Sequence, residues 1–406
     1  MLAGFFVSRA VLSLSMMLFG LNALIGVHPK EWFKNRWWLL GMLWVGIYAV
    51  SWFWSNDASY WNTRLQVKLP ILLLPLAYAF IPVLNYRQLK IFTVAVLIMM
   101  LGGAAYSLSF LVSDPEFYIR GYKYSHVLPT IPENDHIRFS LTVTGSVIWA
   151  VFFYPQVRER WLKVFIILAS VVCSLYLHIL AARTGLLAWY LFIAGWTVYL
   201  ALRRKTRKLG LSLIVFFSIA TLLAFSFVPT LRERIGYFKY TLEVFGKGER
   251  TGLYSDMGRV ISFDIAARLI MKNPLKGVGA GNILDSMKGG YDRWYPDVVD
   301  EQRLIPHNQF LTVGVATGIP GLLLFIAWVF YPLFLIRRNR EGFFFFITWA
   351  VMLVPLMVEP VLEVQYGVFV YLFFLLWQYQ AMIRRMGDNA VQTKQGHDQF
   401  RSDFSS

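Results

Sequence analysis

Residues 163–202 read KVFIILASVVCSLYLHILAARTGLLAWYLFIAGWTVYLAL, a nearly unbroken apolar stretch with Arg183 near its middle. A helix of about 20 residues crosses a bilayer core of about 30 Å, so the stretch is too long for one span. It must fold as two helices joined by a tight turn. Ala182-Arg183-Thr184-Gly185 is the only place where a charge and a glycine interrupt it.

The rest of the chain has the same character. It is 57% hydrophobic and only 15% charged, with a mean hydropathy of +0.52. A soluble domain does not need so much apolar surface, and the 15 Trp and 21 Tyr fit aromatic belts at two membrane interfaces. The fold class expected is all-α, a polytopic integral membrane protein embedded among membrane lipids. The net charge of +16 does not point to nucleic acid. Much of it sits in short clusters between apolar runs: Lys30, Lys34 and Arg36; Arg158, Arg160 and Lys163; Arg203 to Lys208; Arg337, Arg338 and Arg340. Such clusters mark cytoplasmic connections. The single Cys173 excludes an intrachain disulfide and a cysteine metal cluster. The first 27 residues lack a small-residue cleavage site and read as a retained helix.

Eleven apolar runs are expected to span: 4–26, 37–55, 67–84, 90–113, 138–155, 163–182, 184–202, 209–228, 308–336, 342–359 and 365–382. A split or re-entrant first run would make twelve. With basic clusters inside, connections 56–66, 114–137, 183, 229–307 and 360–364 lie outside. The expected units are 1–155, N-terminal spans; 156–385, a core that includes the 229–307 loop; and 386–406, a polar tail with a disordered composition. Within the loop, Val260, Phe263, Ala267 and Ile270 recur at helical spacing before Asn273-Pro274.

Chemistry concentrates where that loop re-enters the membrane, at Pro306-His307-Asn308. Glycines 314, 318 and 321 follow on one helix face, which allows close packing against a neighbour. His307 either caps a helix or acts as a base, since imidazole is the side chain suited to proton transfer near neutral pH. Arg183 either snorkels or faces a partner in a cavity. Arg259, after Gly258 at a helix start, is either solvated or part of an anion site suited to phosphate oxygens. One base and two arginines on one side of the membrane suit activation of a hydroxyl against an anionic leaving group. Asp135, His136 and Arg138 lead into the fifth run and either face the same cleft or cap it. Glu359 and Glu363, around Pro360, are placed to orient the histidine or pair an arginine. No HExxH, Asp-x-Asp or spaced histidine set marks a metal site, and no GxxxxGK[ST] marks a nucleotide site. No cofactor is expected.

Across residues 160–380 the chain resembles the O-antigen ligase family, whose members share a C-terminal domain with the O-antigen polymerases. The resemblance rests on Ala182-Arg183-Thr184-Gly185-Leu186, Gly258-Arg259 and Asn273-Pro274-Leu275-Lys276-Gly277-Val278-Gly279. Its most specific piece is His307-Asn308 with Gly318 and Gly321 downstream. The resemblance implies a membrane glycosyltransferase fold of the GT-C-like class. It implies inverting, metal-independent transfer of O-antigen from undecaprenyl diphosphate to lipid A-core on the periplasmic face of the bacterial inner membrane. In that family the equivalents of Arg183 and Arg259 hold the donor diphosphate, and the equivalent of His307 takes the acceptor proton. The three are therefore expected to line one cleft. The rival readings are a repeat-unit polymerase with the same chemistry and a flippase for lipid-linked oligosaccharides. A flippase calls for a charged path through the bundle in place of one external cluster.

Overall fold

A computed structural model describes residues 1–24, 35–80, 84–122, 126–131, 133–246 and 255–383. The expected polar tail, Lys30 and Lys34 lie outside these residues. Helices α1 to α7 are Leu2–Val7, Arg9–Leu24, Arg36–Val50, Ala58–Ala79, Tyr86–Ser113, Pro115–Gly121 and His136–Phe153. Helices α8 to α12 are Arg160–Leu180, Arg183–Leu202, Arg207–Phe227, Pro229–Gly246 and Ser255–Lys272. The last four are α13 (Ile283–Trp294), α14 (Gln309–Phe330), α15 (Arg340–Val358) and α16 (Gln365–Ile383). Among the described residues there is no strand.

Nine of the described helices are long and apolar enough to cross a membrane. They account for nine of the eleven runs, and the other two are modified in physically simple ways. The first run breaks at Ser8, and Gly4 lies so close to Leu12 that a Cβ would meet its backbone at 2.9 Å. Thus α1 folds back on α2, the split form of that run. The run at 67–84 belongs to α4, which begins earlier and carries Arg64, Lys68 and two internal prolines, Pro70 and Pro75.

Aromatic packing joins α3, α14 and α16, with Trp44 stacked on Trp328 at 5.3 Å between ring centroids. The 229–307 segment has a second core, in which Met257, Ile261, Ile265, Leu269, Ile283, Met287 and Tyr291 pack on Val315 and Ala316 of α14. This corrects the face expected for α12, since Val260 is half exposed while Ile261 and Ile265 are buried.

The same contact explains the glycines. α14 is interrupted at Gly318, whose φ of 70° and ψ of −169° lie in a region open almost only to glycine. The freed backbone groups are taken up by the turn after α12. Val278 and Gly279 donate to the carbonyls of Val315 and Ala316, and Ile319 N–H donates to Pro274 O at 2.7 Å. Irregular backbone at such depth persists only where protein satisfies it. Gly314 does serve close packing, against Ile270. Gly318 instead breaks the helix, so the expected single face does not continue through it.

Candidate active site

The loop-side end of the bundle is assembled by caps. The Asn308 side-chain oxygen accepts from the N–H groups of Phe310 and Leu311 at 2.9 and 3.1 Å, which starts α14. Its amide nitrogen donates to Met357 O at 2.9 Å, which ties that start to the end of α15. Thr312 adds a bond from its hydroxyl to Pro306 O. His307 therefore sits just before a fixed helix start, and its own N–H reaches Ser262 Oγ of α12 at 3.4 Å.

The imidazole has two distinct nitrogens. Nδ1 lies 3.1 Å from Ile305 O. A carbonyl can only accept, so the hydrogen of the neutral ring is on Nδ1 and Nε2 presents its lone pair. Nε2 is 3.8 Å from Oε2 of Glu359. The other carboxylate oxygen, Oε1, accepts from Arg259 Nη2 at 3.0 Å. One carboxylate thus stands between a base and a guanidinium that come from different helices. Glu359 is 9% exposed, whereas Arg259 is 29% and His307 19%, so the latter two are more open to a ligand than the carboxylate they share.

Arg183 is placed by the predicted turn. α8 ends at Leu180, Ala181 takes a left-handed conformation with φ of 49°, and α9 begins at Arg183. Carbonyls left open at the end of α8 accept from Thr230 Oγ1 at 2.7 Å and from Tyr122 OH at 2.9 Å. The guanidinium lies over the Tyr237 ring of α11 at 5.4 Å. Tyr199 stacks on Phe343, and a Cβ on Gly195 would meet Ile347, so α9 and α15 run antiparallel. Both contacts lie toward the end of α9 away from Arg183.

The remaining candidates separate. Asp135 caps α7, accepting from Arg138 N–H at 3.1 Å and pairing with its guanidinium at 3.3 Å. His136 opens the same helix, and a Cβ on Gly185 would strike Ser140, so this end of α7 adjoins the start of α9. Glu363 does not reach the histidine. Its Oε2 accepts from Lys68 Nζ at 2.9 Å and its Oε1 from Gln309 Nε2 at 2.9 Å, while Arg64 donates to its carbonyl at 2.6 Å. Gln309 in turn accepts from Leu362 N–H at 2.7 Å. Burial pushes the Glu363 carboxyl up, but Lys68, Arg64 and the Gln309 bond outweigh it and hold it below the usual glutamate range.

This buried network pins the 359–363 turn to the start of α14, and sequence reasoning missed Lys68, Arg64 and Gln309. The signal was available for Lys68, a charge inside an apolar run. Among the described residues, no three His, Cys, Asp or Glu side chains gather into a group able to hold a metal.

A base with a free lone pair, a partly buried guanidinium and a shared buried carboxylate can together deprotonate a hydroxyl beside a bound anion. In comparisons with known proteins, residues 168–326 match the family model described as O-antigen ligase. The matched span holds Arg183, Arg259, His307 and Asn308, and stops before Glu359. None of the curated proteins matches the chain.

Proposed function

We propose that the chain, whose residues 168–326 match the family model described as O-antigen ligase, is a metal-independent, inverting glycosyltransferase of that family. It moves an O-antigen glycan from undecaprenyl diphosphate to a sugar hydroxyl of lipid A-core at the periplasmic face of the inner membrane. The observation that carries this reading is the carboxylate of Glu359, held between the Arg259 guanidinium at 3.0 Å and the His307 ring at 3.8 Å.

Arg259 and Arg183 bind the diphosphate oxygens. Their fixed charge is worth most where negative charge concentrates as the leaving group departs. The acceptor hydroxyl gives its proton to Nε2 of His307 as its oxygen bonds to the anomeric carbon. The carbon–oxygen bond to phosphate breaks, and its electron pair leaves on the lipid diphosphate. Attack from the face opposite the leaving group inverts the anomeric centre. Ile305 O keeps Nε2 as the accepting nitrogen, and Glu359 stabilises the imidazolium that forms. Donor and acceptor are both held in the membrane, so bringing them to one cleft removes much of the entropic barrier.

The test is to incubate purified protein with lipid-linked O-antigen and either lipid A-core or a second donor molecule. Glycan on lipid A-core is the expected product. Elongated lipid-linked glycan would make the protein a polymerase. No product from either acceptor, with donor translocated across vesicles, would replace the enzyme reading with a flippase.

A further inference from the structure

We propose that Glu359 is a latch between the two substrate sites. It holds Arg259 while the donor is absent and is released to His307 when the lipid diphosphate binds. The inference rests on the reading that Arg259 binds donor diphosphate and His307 takes the acceptor proton.

The carboxylate has two claimants and serves them unequally. Its bond to Arg259 is a full charge-assisted hydrogen bond at 3.0 Å, whereas Nε2 of His307 stands 3.8 Å away. The second distance is too long for a hydrogen bond, yet short enough for the charges to be felt. Glu359 itself is anchored: its backbone N–H caps α15 by donating to Pro355 O at 2.9 Å, and Pro360 follows. Arg259, the more exposed partner, is the one able to turn toward a ligand. The neighbouring carboxylate, Glu363, cannot substitute, because Lys68 and Gln309 already occupy both its oxygens.

A diphosphate offers more charge and more oxygens to a guanidinium fork than one carboxylate does. An arriving donor therefore draws Arg259 away from Oε1. The carboxylate is left with its full charge facing the ring, and the imidazolium formed on proton transfer becomes its counter-ion. Base strength at His307 then depends on donor occupancy, so an acceptor hydroxyl or water is not activated before there is a glycan to transfer. Glu359 is in this sense a positioning residue that acts through Arg259 and His307.

The latch makes an unusual prediction, because it competes with one substrate and assists the chemistry. In full-length protein in nanodiscs, with undecaprenyl diphosphate as the binding probe, Glu359→Gln should bind about three- to tenfold tighter than wild type. Single-turnover transfer should nevertheless fall about tenfold or more, since the imidazolium loses its counter-ion. In an Arg259→Ala background the same replacement should alter probe binding by less than about twofold, because no guanidinium remains to be released. Glu359→Asp keeps the charge but shortens the reach, so it should also bind the probe more tightly, and it carries the test if the Gln variant does not fold.

Unchanged or weaker probe binding in the variant that folds would overturn the latch. Equal tightening with and without Arg259 would also overturn it, leaving only a diffuse charge effect. Failure of the underlying reading looks different: Arg259→Ala would then bind the probe as well as wild type, and the latch would fall with it.

Discussion

Replacing Lys68 with methionine tests the buried network under the site. Lys68 is fully buried, its ammonium lies 2.9 Å from Glu363 Oε2 and 4.1 Å from the centre of the Tyr48 ring, and Glu363 is 3% exposed. Removing the ammonium leaves a buried carboxylate with Gln309 as its remaining side-chain donor. Breaking one partner of a buried pair costs about 3–5 kcal/mol. At about 2 °C per kcal/mol for a protein larger than a small domain, the midpoint should drop by about 6–10 °C. Glu363→Gln should cost a comparable amount by stranding the lysine. The double variant should cost clearly less than the two singles added, because neither charge is then left alone. Scanning fluorimetry in one detergent at one protein concentration measures all three.

The pH dependence has a defined sign. Glu363 is held below its usual value, so its contribution is fully present above the unfolded-state pKa and is lost as pH falls through the folded one. Without Lys68, burial raises the Glu363 carboxyl, so the penalty of Lys68→Met should be largest near neutral pH and begin to shrink above the ordinary glutamate range, near ~4.3, continuing to shrink below it. A Lys68→Met midpoint within about 1 °C of wild type, or a double variant as damaged as the sum, would refute the reasoning.

Three further outcomes are expected. Arg183→Ala and Arg259→Ala should each weaken binding of a labelled lipid-linked donor as well as turnover, and Lys at either position should rescue only partly, because an ammonium lacks the bidentate fork; binding isotherms for the four variants check this. Transfer should survive a chelator and gain nothing from added magnesium or manganese, since arginines supply the neutralising charge; activity lost with chelator and regained with metal would oppose it. Gly318→Ala should destabilise by about 1–3 kcal/mol or abolish folding, because a Cβ there meets Pro274 O at 2.6 Å at a backbone conformation that side chains avoid; yield and thermal midpoint report it.

Much of the fold is legible in the sequence because apolar length is a direct physical requirement of the bilayer. The turn at Arg183 follows from the excess length of 163–202, and the pair of helices on either side of it is where that length demands. What periodicity misses is governed by neighbours. Val260 fits a helical repeat, but which face of α12 is buried depends on α14, which lies far along the chain. Gly318 reads as a packing glycine because its left-handed backbone is dictated by the Asn273–Gly279 turn inserted against it. The candidate site behaves likewise. Arg183, Arg259 and His307 are recognisable by residue type and local setting, and Glu359 by its position beside Pro360. That Glu359 serves both Arg259 and His307, while Glu363 turns to Lys68, depends on side-chain directions across elements up to 100 residues apart in the first case and 295 in the second. No spacing rule encodes those directions.

The central claim is that His307 handles the acceptor proton while the arginines handle the donor. Single-turnover transfer by His307→Ala, run beside donor binding to the same preparation, tests it most directly. The expected result is a loss of about 10²–10⁴-fold in the transfer rate with donor affinity close to wild type. Near-normal transfer would remove the base assignment and turn attention to His136. Loss of donor binding in step with transfer would contradict the division of labour and make His307 a diphosphate ligand.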